Sequence, residues 1–406
     1  MTWFGSDVSM KKGSQLDPFG WLRTGTRKVA FEYSGRYDQG LLVWEHNLSG
    51  TGSVTFDSLT GGNTLSTGGT ASGAKAIRQT HEYHLYLPGR GRLAVAGFIF
   101  GTAATNLRRR VGLFESNNGY FLEQTSTGLR FTTRSDVSGS VVDTATEQAS
   151  WSIDPFDGTG PSGVTIDFTK ALALIIDNVG YNAAKTRFGF LIDGYIQYAH
   201  EVNNLNALTS FAIGTSDLPL RYEIENTGVT SGTNTMKASS CVVYDEDGGS
   251  TELGYQFSAN NGTTSKSITT RAPVMSIRPK TTFGGLTNRA HVHLKSFELL
   301  VKTNDMLYEI VRNGSLTGSS FASVAGDSVT NFDTAATAIS GGIVLGSGYV
   351  ASGFGAGANG SILDFVGRLS LTNDFAGTTT DILTIVATSM TGTSAVTASM
   401  TWEEQR

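Results

Sequence analysis

From Val29 onward the chain is a succession of short runs in which apolar and polar residues alternate, each closed by Gly, Asn, Asp or Ser. That period of two predicts β-strands joined by tight turns. Val29-Ala30-Phe31-Glu32-Tyr33 and Leu41-Leu42-Val43-Trp44-Glu45 open the series, and Tyr83, Leu85 and Leu87 alternate ahead of Pro88-Gly89. Leu93 to Phe100 is apolar on both faces, as a strand buried on both sides would be. Asn118-Gly119 and Asp193-Gly194, each between alternating runs, are hairpin turns of the type that needs a left-handed backbone. The one helical candidate is Lys302 to Arg312, where Met306, Leu307, Ile310 and Val311 recur at spacings near three and four, although Leu299 to Val301 fit a strand equally well. The expected fold class is therefore all-β: a jelly-roll or lectin-like β-sandwich over residues 28–300 and a second, smaller β-domain over 301–406.

Residues 1–27 stand apart from this pattern. Trp3, Phe4, Phe19, Trp21 and Leu22 lie among turn residues, too irregular for a helix and too aromatic for a disordered tail. They predict an extended arm that packs on a surface of its own chain or of a neighbouring subunit, and its aromatic residues are the candidate assembly residues.

Composition narrows the function. Charged residues are 16% of the chain, against about 25% in ordinary globular proteins, so the exterior is either neutral and polar or covered by another protein. A net charge of −5 gives no general attraction to nucleic acid or to an anionic membrane, and no apolar run is long enough to insert in one. Fifty glycines without a three-residue period suit many tight turns. Cys241 is the single cysteine, which leaves no intrachain disulfide and no cysteine-built zinc site. No export signal is legible at the start, so synthesis in the cytoplasm is expected.

Candidate chemistry is sparse. His291 and His293 share one face of a strand but have no third ligand in the sequence, and His81 and His84 would diverge. Asp245-Glu246-Asp247-Gly248-Gly249 starts like a calcium loop yet lacks the EF-hand spacing and reads as an acidic turn. Asp154, Asp157, Asp167, Asp193 and Glu201 are the carboxylates that could form a glycosidase pair, which needs separations of roughly 5–9.5 Å. Arg108 and Arg110 fall on one strand face and Arg109 on the other, a pattern of ion pairs or an interface rim more than of an anion site. Tyr120, Trp151 and Tyr181 sit near turns and are the candidate ligand-loop aromatics, with core packing as the alternative. No catalytic residue, metal ligand or cofactor site emerges.

Several segments together resemble a family of tailed-bacteriophage virion structural proteins, with head-decoration, tail and fibre assignments. They include Tyr86-Leu87-Pro88-Gly89, Asn118 to Gln124, Trp151-Ser152-Ile153-Asp154 with Asp157 to Gly163, Arg187-Phe188-Gly189-Phe190, Leu218 to Thr227, and Val396 to Glu404. The chain departs from the family at Tyr181 to Lys185 and at Asp247-Gly248-Gly249, both turns. The resemblance implies a non-enzymatic virion component, a homo-oligomer that is often a trimer, with other virion proteins as partners. The alternative within that setting is an adhesin binding a host receptor or surface glycan, and a polysaccharide depolymerase is the third reading.

Overall fold

A computed structural model describes residues 27–87, 89–179, 185–246, 254–353, 355–357 and 369–406. Trp3, Phe4, Phe19, Trp21, Leu22 and Tyr181 lie outside the described residues. The chain divides into two compact units, Met1–Thr251 and Glu252–Arg406.

The first unit contains β1 (Lys28–Tyr33), β2 (Trp44–Ser49), β3 (Ser53–Asp57), β4 (Gly62–Ser66), β5 (Lys75–Thr80), β6 (Gly91–Ile99), β7 (Leu107–Phe114) and β8 (Gly119–Thr125). It continues with β9 (Gly128–Ser135), β10 (Val142–Glu147), β11 (Leu172–Val179), β12 (Lys185–Ile192), β13 (Tyr195–Asn203), β14 (Leu220–Asn226) and β15 (Thr235–Asp245). One sheet runs β13-β12-β11-β6-β15-β4-β3, with β1 also paired to β15, and the other runs β10-β9-β8-β7-β14-β5-β2. Alternation explains why they stack. On β7 and β8, Val111, Leu113, Tyr120 and Leu122 point inward, where they join Leu174, Ile176, Phe188 and Phe190 of the opposite sheet in one core. Phe131 stacks on Phe188 with ring centroids 4.5 Å apart. Each such buried aromatic or aliphatic side chain contributes about 1.5–3 kcal/mol.

Both expected hairpins are present, but with different turns: four residues, Glu115 to Asn118, join β7 to β8, and Gly119 already pairs with Phe114. Asp193 and Gly194 have φ of 51° and 80°, the left-handed pair that lets two residues join β12 to β13. The Asp154-to-Gly163 segment is a turn closed by its own carboxylate: Asp154 Oδ1 accepts from the Phe156 amide and Oδ2 from the Ser162 amide, both at 2.8 Å. A side chain at Gly160 would lie 2.2 Å from Asp154 Oδ1, so the turn needs glycine there.

In the second unit, Ser394–Gln405 lies between Tyr255–Asn260 and His291–Val301 in a five-stranded sheet. A six-stranded sheet carries Ala272–Pro279, Leu383–Ser389, Met306–Arg312 and Ile343–Val350 in that spatial order. Val274, Leu294, Ile310, Ile385, Met400 and Trp402 belong to its core. This corrects the expected boundary near residue 300. His291–Val301 pairs along its length with the C-terminal strand, and Ala272–Pro279 pairs with Leu383–Ser389, so a cut at 300 would divide both sheets. It also corrects the helix expected over Lys302 to Arg312. Met306–Arg312 is a strand paired on both sides, with Met306, Tyr308 and Ile310 in the core and Glu309 bonded to Arg271 at 2.6 Å. No described helix is long and apolar enough to cross a membrane.

A fragment of residues 252–406 should therefore unfold in one cooperative transition by circular dichroism, whereas residues 301–406 should show none, because they lack both strands that flank Ser394–Gln405.

Candidate functional site

Alternation that sends Val111 and Leu122 inward sends Arg110 and Glu123 to the opposite face of the seven-stranded sheet. Register then lines up Glu147, Arg130, Glu123, Arg110 and Glu223 across β10, β9, β8, β7 and β14. The contacts along this line are 3.7 Å from Arg130 to Glu147, 2.6 Å from Arg130 to Glu123, 3.0 Å from Arg110 to Glu123 and 3.1 Å from Arg110 to Glu223. Arg221 reaches Glu223 at 2.6 Å, Arg134 reaches Asp143 at 2.8 Å, and Arg108 pairs with Glu225. Arg108, Arg110, Arg130, Arg134 and Arg221 thus face Glu123, Asp143, Glu147, Glu223 and Glu225, five cations against five anions. The guanidinium groups also lie over an aromatic pair, Arg110 and Arg134 over Phe121 at 5.0 and 5.3 Å and Arg221 over Phe114 at 4.9 Å.

The middle of this ladder is buried: Glu123 is 0% exposed, Arg110 2% and Glu223 3%. Burial by itself would raise the Glu223 pKa, but Arg221 and Arg110 overcome it and hold the carboxyl at about 2. Burial pulls the Arg110 guanidinium below its usual value, opposed by Glu223 and Glu123. Arg109 takes the other face, as its position in the strand requires. It donates to the Thr235 and Thr102 carbonyls at 2.9 and 2.8 Å and to Gln124 at 2.6 Å, and burial lowers its pKa to about 10. The arginine cluster is therefore an ion-pair device, in agreement with the sequence pattern.

The chemistry of the ladder follows from these partners. A general acid must hold a proton near its working pH. Glu223 stays ionised, so it supplies no such proton, and the balanced charge gives no net pull on an anionic or cationic ligand.

The other sequence candidates each have a local structural role. Asp157 and Asp167 each accept from the amide and hydroxyl of the threonine two residues on, at 2.9 and 2.6 Å in both cases. Asp154 closes its own turn, Asp193 forms the hairpin tip, and Glu201 pairs with Lys185 at 3.0 Å. His291 and His293 do share a face, with ring centroids 6.0 Å apart, but among the described residues no three metal-ligating side chains cluster. Asp245 pairs with Arg92 at 2.8 Å, and Asp247 to Gly249 lie outside the described residues. Cys241 is buried and its thiol is pushed up to about 12, which leaves it unreactive.

Tyr120 and Trp151 correct the ligand-loop expectation. Tyr120 is 2% exposed between the two sheets, and Trp151 is 5% exposed with its ring 4.3 Å from Phe131. Both sit at turns in sequence but point inward, where burial of a large ring outweighs a place at the surface. Among the described residues the exposed aromatics are others: Tyr37 at 83%, Tyr195 at 73%, Tyr349 at 73%, Phe211 at 64% and Tyr255 at 58%. Tyr195 follows Asp193-Gly194 directly, so the turn signal could have located it.

A second surface feature is the strand Ile343–Val350, at the end of its sheet, which pairs with Met306–Arg312 and with no other described strand. Ile343, Val344 and Tyr349 on it are 48%, 47% and 73% exposed. No charged residue occurs between Asp333 and Asp364.

A scan of family models and a search of curated proteins found no match to this chain. Among solved structures it is similar to a glycosyl hydrolase family protein from Mycobacterium fortuitum at 12% identity and TM-score 0.37, over 53% of this chain and 99% of that one. It is also similar to a β-glucanase from Bacillus licheniformis at 11% identity and TM-score 0.35, over 54% and 98%. A legume lectin-like domain from Entamoeba histolytica gives 10% identity and TM-score 0.32, over 54% and 99%. Likenesses at this level assign no activity.

Replacing Glu223 by Gln leaves Arg110 and Arg221 buried with less compensation, and breaking such a pair costs about 3–5 kcal/mol. Calorimetry should show a lower Tm at neutral pH. The folded pKa of Glu223, about 2, is below the ordinary 4.5, so its contribution is complete above pH 4.5 and is lost as pH falls toward 2. The difference in Tm between wild type and Glu223→Gln should shrink over that interval.

Proposed function

We propose that the protein is a non-catalytic structural component of a bacteriophage virion, acting by homo-oligomeric assembly. The observation that carries the assembly reading is the edge at Ile343–Val350, which among the described residues has a partner strand on one side only. Soluble β-proteins guard exposed edges with lysine, proline, short strands or bulges, because unpaired backbone groups recruit other strands. This edge is eight residues long, has one register shift opposite Ile310 and Val311, and carries no charge. A neighbouring subunit or another virion protein would pair with the backbone and cover Val344 and Tyr349. The ladder supports the non-catalytic part, since its carboxylates are engaged by arginines. Placement on a virion rests on the sequence resemblance.

The exposed Tyr195 at the β12–β13 hairpin favours a second reading, a host-glycan adhesin, because a solvent-facing ring at a loop tip can stack on a sugar. Saturable binding on a glycan array that is lost in Tyr195→Ala would replace the first reading.

Val344→Lys with Tyr349→Lys places two charges on the edge. Light scattering after size exclusion should show the wild type as an oligomer and the variant shifted to monomer, with unchanged far-ultraviolet circular dichroism. A wild type that is monomeric at tens of micromolar, or absent from purified particles by immunogold labelling, would refute the proposal.

A further inference from the structure

Two arginines of the first unit break a pattern that the others keep. Among the described residues eight arginines are buried, and six of them, Arg92, Arg110, Arg134, Arg187, Arg221 and Arg312, each lie 2.6–3.0 Å from a carboxylate. Arg78 and Arg109 are held by neutral groups instead. Arg78 is sealed in: Nη1 meets the Gln39 carbonyl at 2.6 Å and His46 at 2.8 Å, the guanidinium lies 4.2 Å from the Trp44 ring centroid, and Nη2 is shut off from solvent. Arg109 is open at its tip. A guanidinium has five N–H groups, and Arg109 uses three of them, Nε–H on the Thr235 carbonyl and those of Nη1 on the Thr102 carbonyl and Gln124 Oε1. Its Nη2 has no acceptor among the described residues and, unlike Nη2 of Arg78, keeps access to solvent.

The surroundings offer this cation no internal partner. Residues 101–106, 125–128 and 226–235 are mostly Thr, Ser, Asn and Gly and include no Asp, Glu, Lys, Arg or His. The first and last of these loops are tied together, the Thr227 amide to the Asn106 carbonyl and Asn106 Nδ2 to the Val229 carbonyl, both at 2.8 Å. Thr102 and Thr235, whose carbonyls hold Arg109, are themselves exposed, so the guanidinium sits at the mouth of the intersheet space. On the adjoining turn, Asp167 is already engaged by Thr169. Burial lowers the Arg109 pKa, and no carboxylate opposes it as Glu223 and Glu123 do at Arg110.

A buried charge is costly unless it is paired, and the partner that a guanidinium holds best is a carboxylate or phosphate. We infer that the Arg109 mouth of the first unit binds a sugar acid, whose carboxylate bonds Nη2 while its hydroxyl groups meet the threonine and asparagine side chains of the three loops. One cation with two free N–H groups matches a single negative charge, which favours a carboxylate over a phosphate dianion. Hydroxyl and amide side chains exchange hydrogen bonds with a polyol in both directions, and Val229 is the one large apolar side chain exposed on these loops among the described residues. That lining suits a sugar more than a hydrophobic peptide or a lipid. The site uses neither the Ile343–Val350 edge nor Tyr195, so it goes beyond both readings of function above.

Nitrogen-15 NMR on the full chain tests this, because the Arg109 Nε–H, held by the Thr235 carbonyl, is a reporter at the site itself. Its signal is assigned by its loss in Arg109→Lys. Titration with sodium glucuronate, galacturonate or N-acetylneuraminate should shift it saturably in at least one case, and glucose at equal ionic strength should leave it in place. Arg109→Lys should weaken that binding at least tenfold. No shift with any of the three sugar acids overturns the site. Acetate or N-acetylaspartate amide binding as tightly as the best sugar acid overturns the assignment to a sugar, and an equal shift with sodium chloride means an adventitious ion only. Binding should persist in Tyr195→Ala; its loss there would put the sugar at the β12–β13 hairpin and refute the Arg109 site. If Arg109→Lys does not fold, the backbone amide signals of Gly101 and Thr102 in the wild type give the same reading.

Discussion

Strand register at the centre of the seven-stranded sheet is specified on both of its faces, and the first unit depends on it. Inward, Val111, Leu122 and Tyr222 complete the core between the sheets. Outward, the same register sets Arg110 between Glu123 and Glu223. A slip of one residue would turn the aliphatic set away from the core and leave buried carboxylates without cations, two penalties that reinforce each other. Desolvation of the ladder's charges offsets much of their attraction, so its presence costs little stability only while every partner is in place.

The second unit meets the same constraint by other means. Glu404 is fully buried and accepts from the Ser328 hydroxyl at 2.6 Å, the Val329 amide at 2.8 Å and the Trp402 indole at 3.0 Å, which ties the C-terminal strand to a neighbouring loop. Asp381 is held below the usual carboxylate range, since Arg312 and Asn313 overcome the effect of burial. In both units many of the charges are drawn into internal pairs. What this leaves outside at Ile343–Val350 is neutral and apolar, a surface suited to contact with protein more than to catalysis or to attraction of ions.

Alternation, turn chemistry and composition made the all-β class, the Asp193-Gly194 turn, and the split of Arg108 and Arg110 from Arg109 legible in the chain, because each depends on neighbours within a few residues; the hairpin between β7 and β8 was legible too, but not its four-residue loop. Position near a turn misled for Tyr120 and Trp151, since a turn residue two or three positions away does not decide which way a ring points. Spacings of three and four misled at Met306 to Val311, where partners on both sides imposed an extended backbone. The exposed Tyr195 was visible as a turn-tip residue, but its exposure was not.

Which segments extend and which residues share a strand face are written in the local pattern of the chain, because those are consequences of backbone sterics and a period of two. The unit boundary at Thr251 and the Glu–Arg ladder came from the folded chain alone. Each of these joins strands that are distant in sequence: His291–Val301 meets a partner that begins at Ser394, and Arg110 meets Glu223. Which distant strands pair is settled by the joint burial of whole faces, and no short window of residues contains that information.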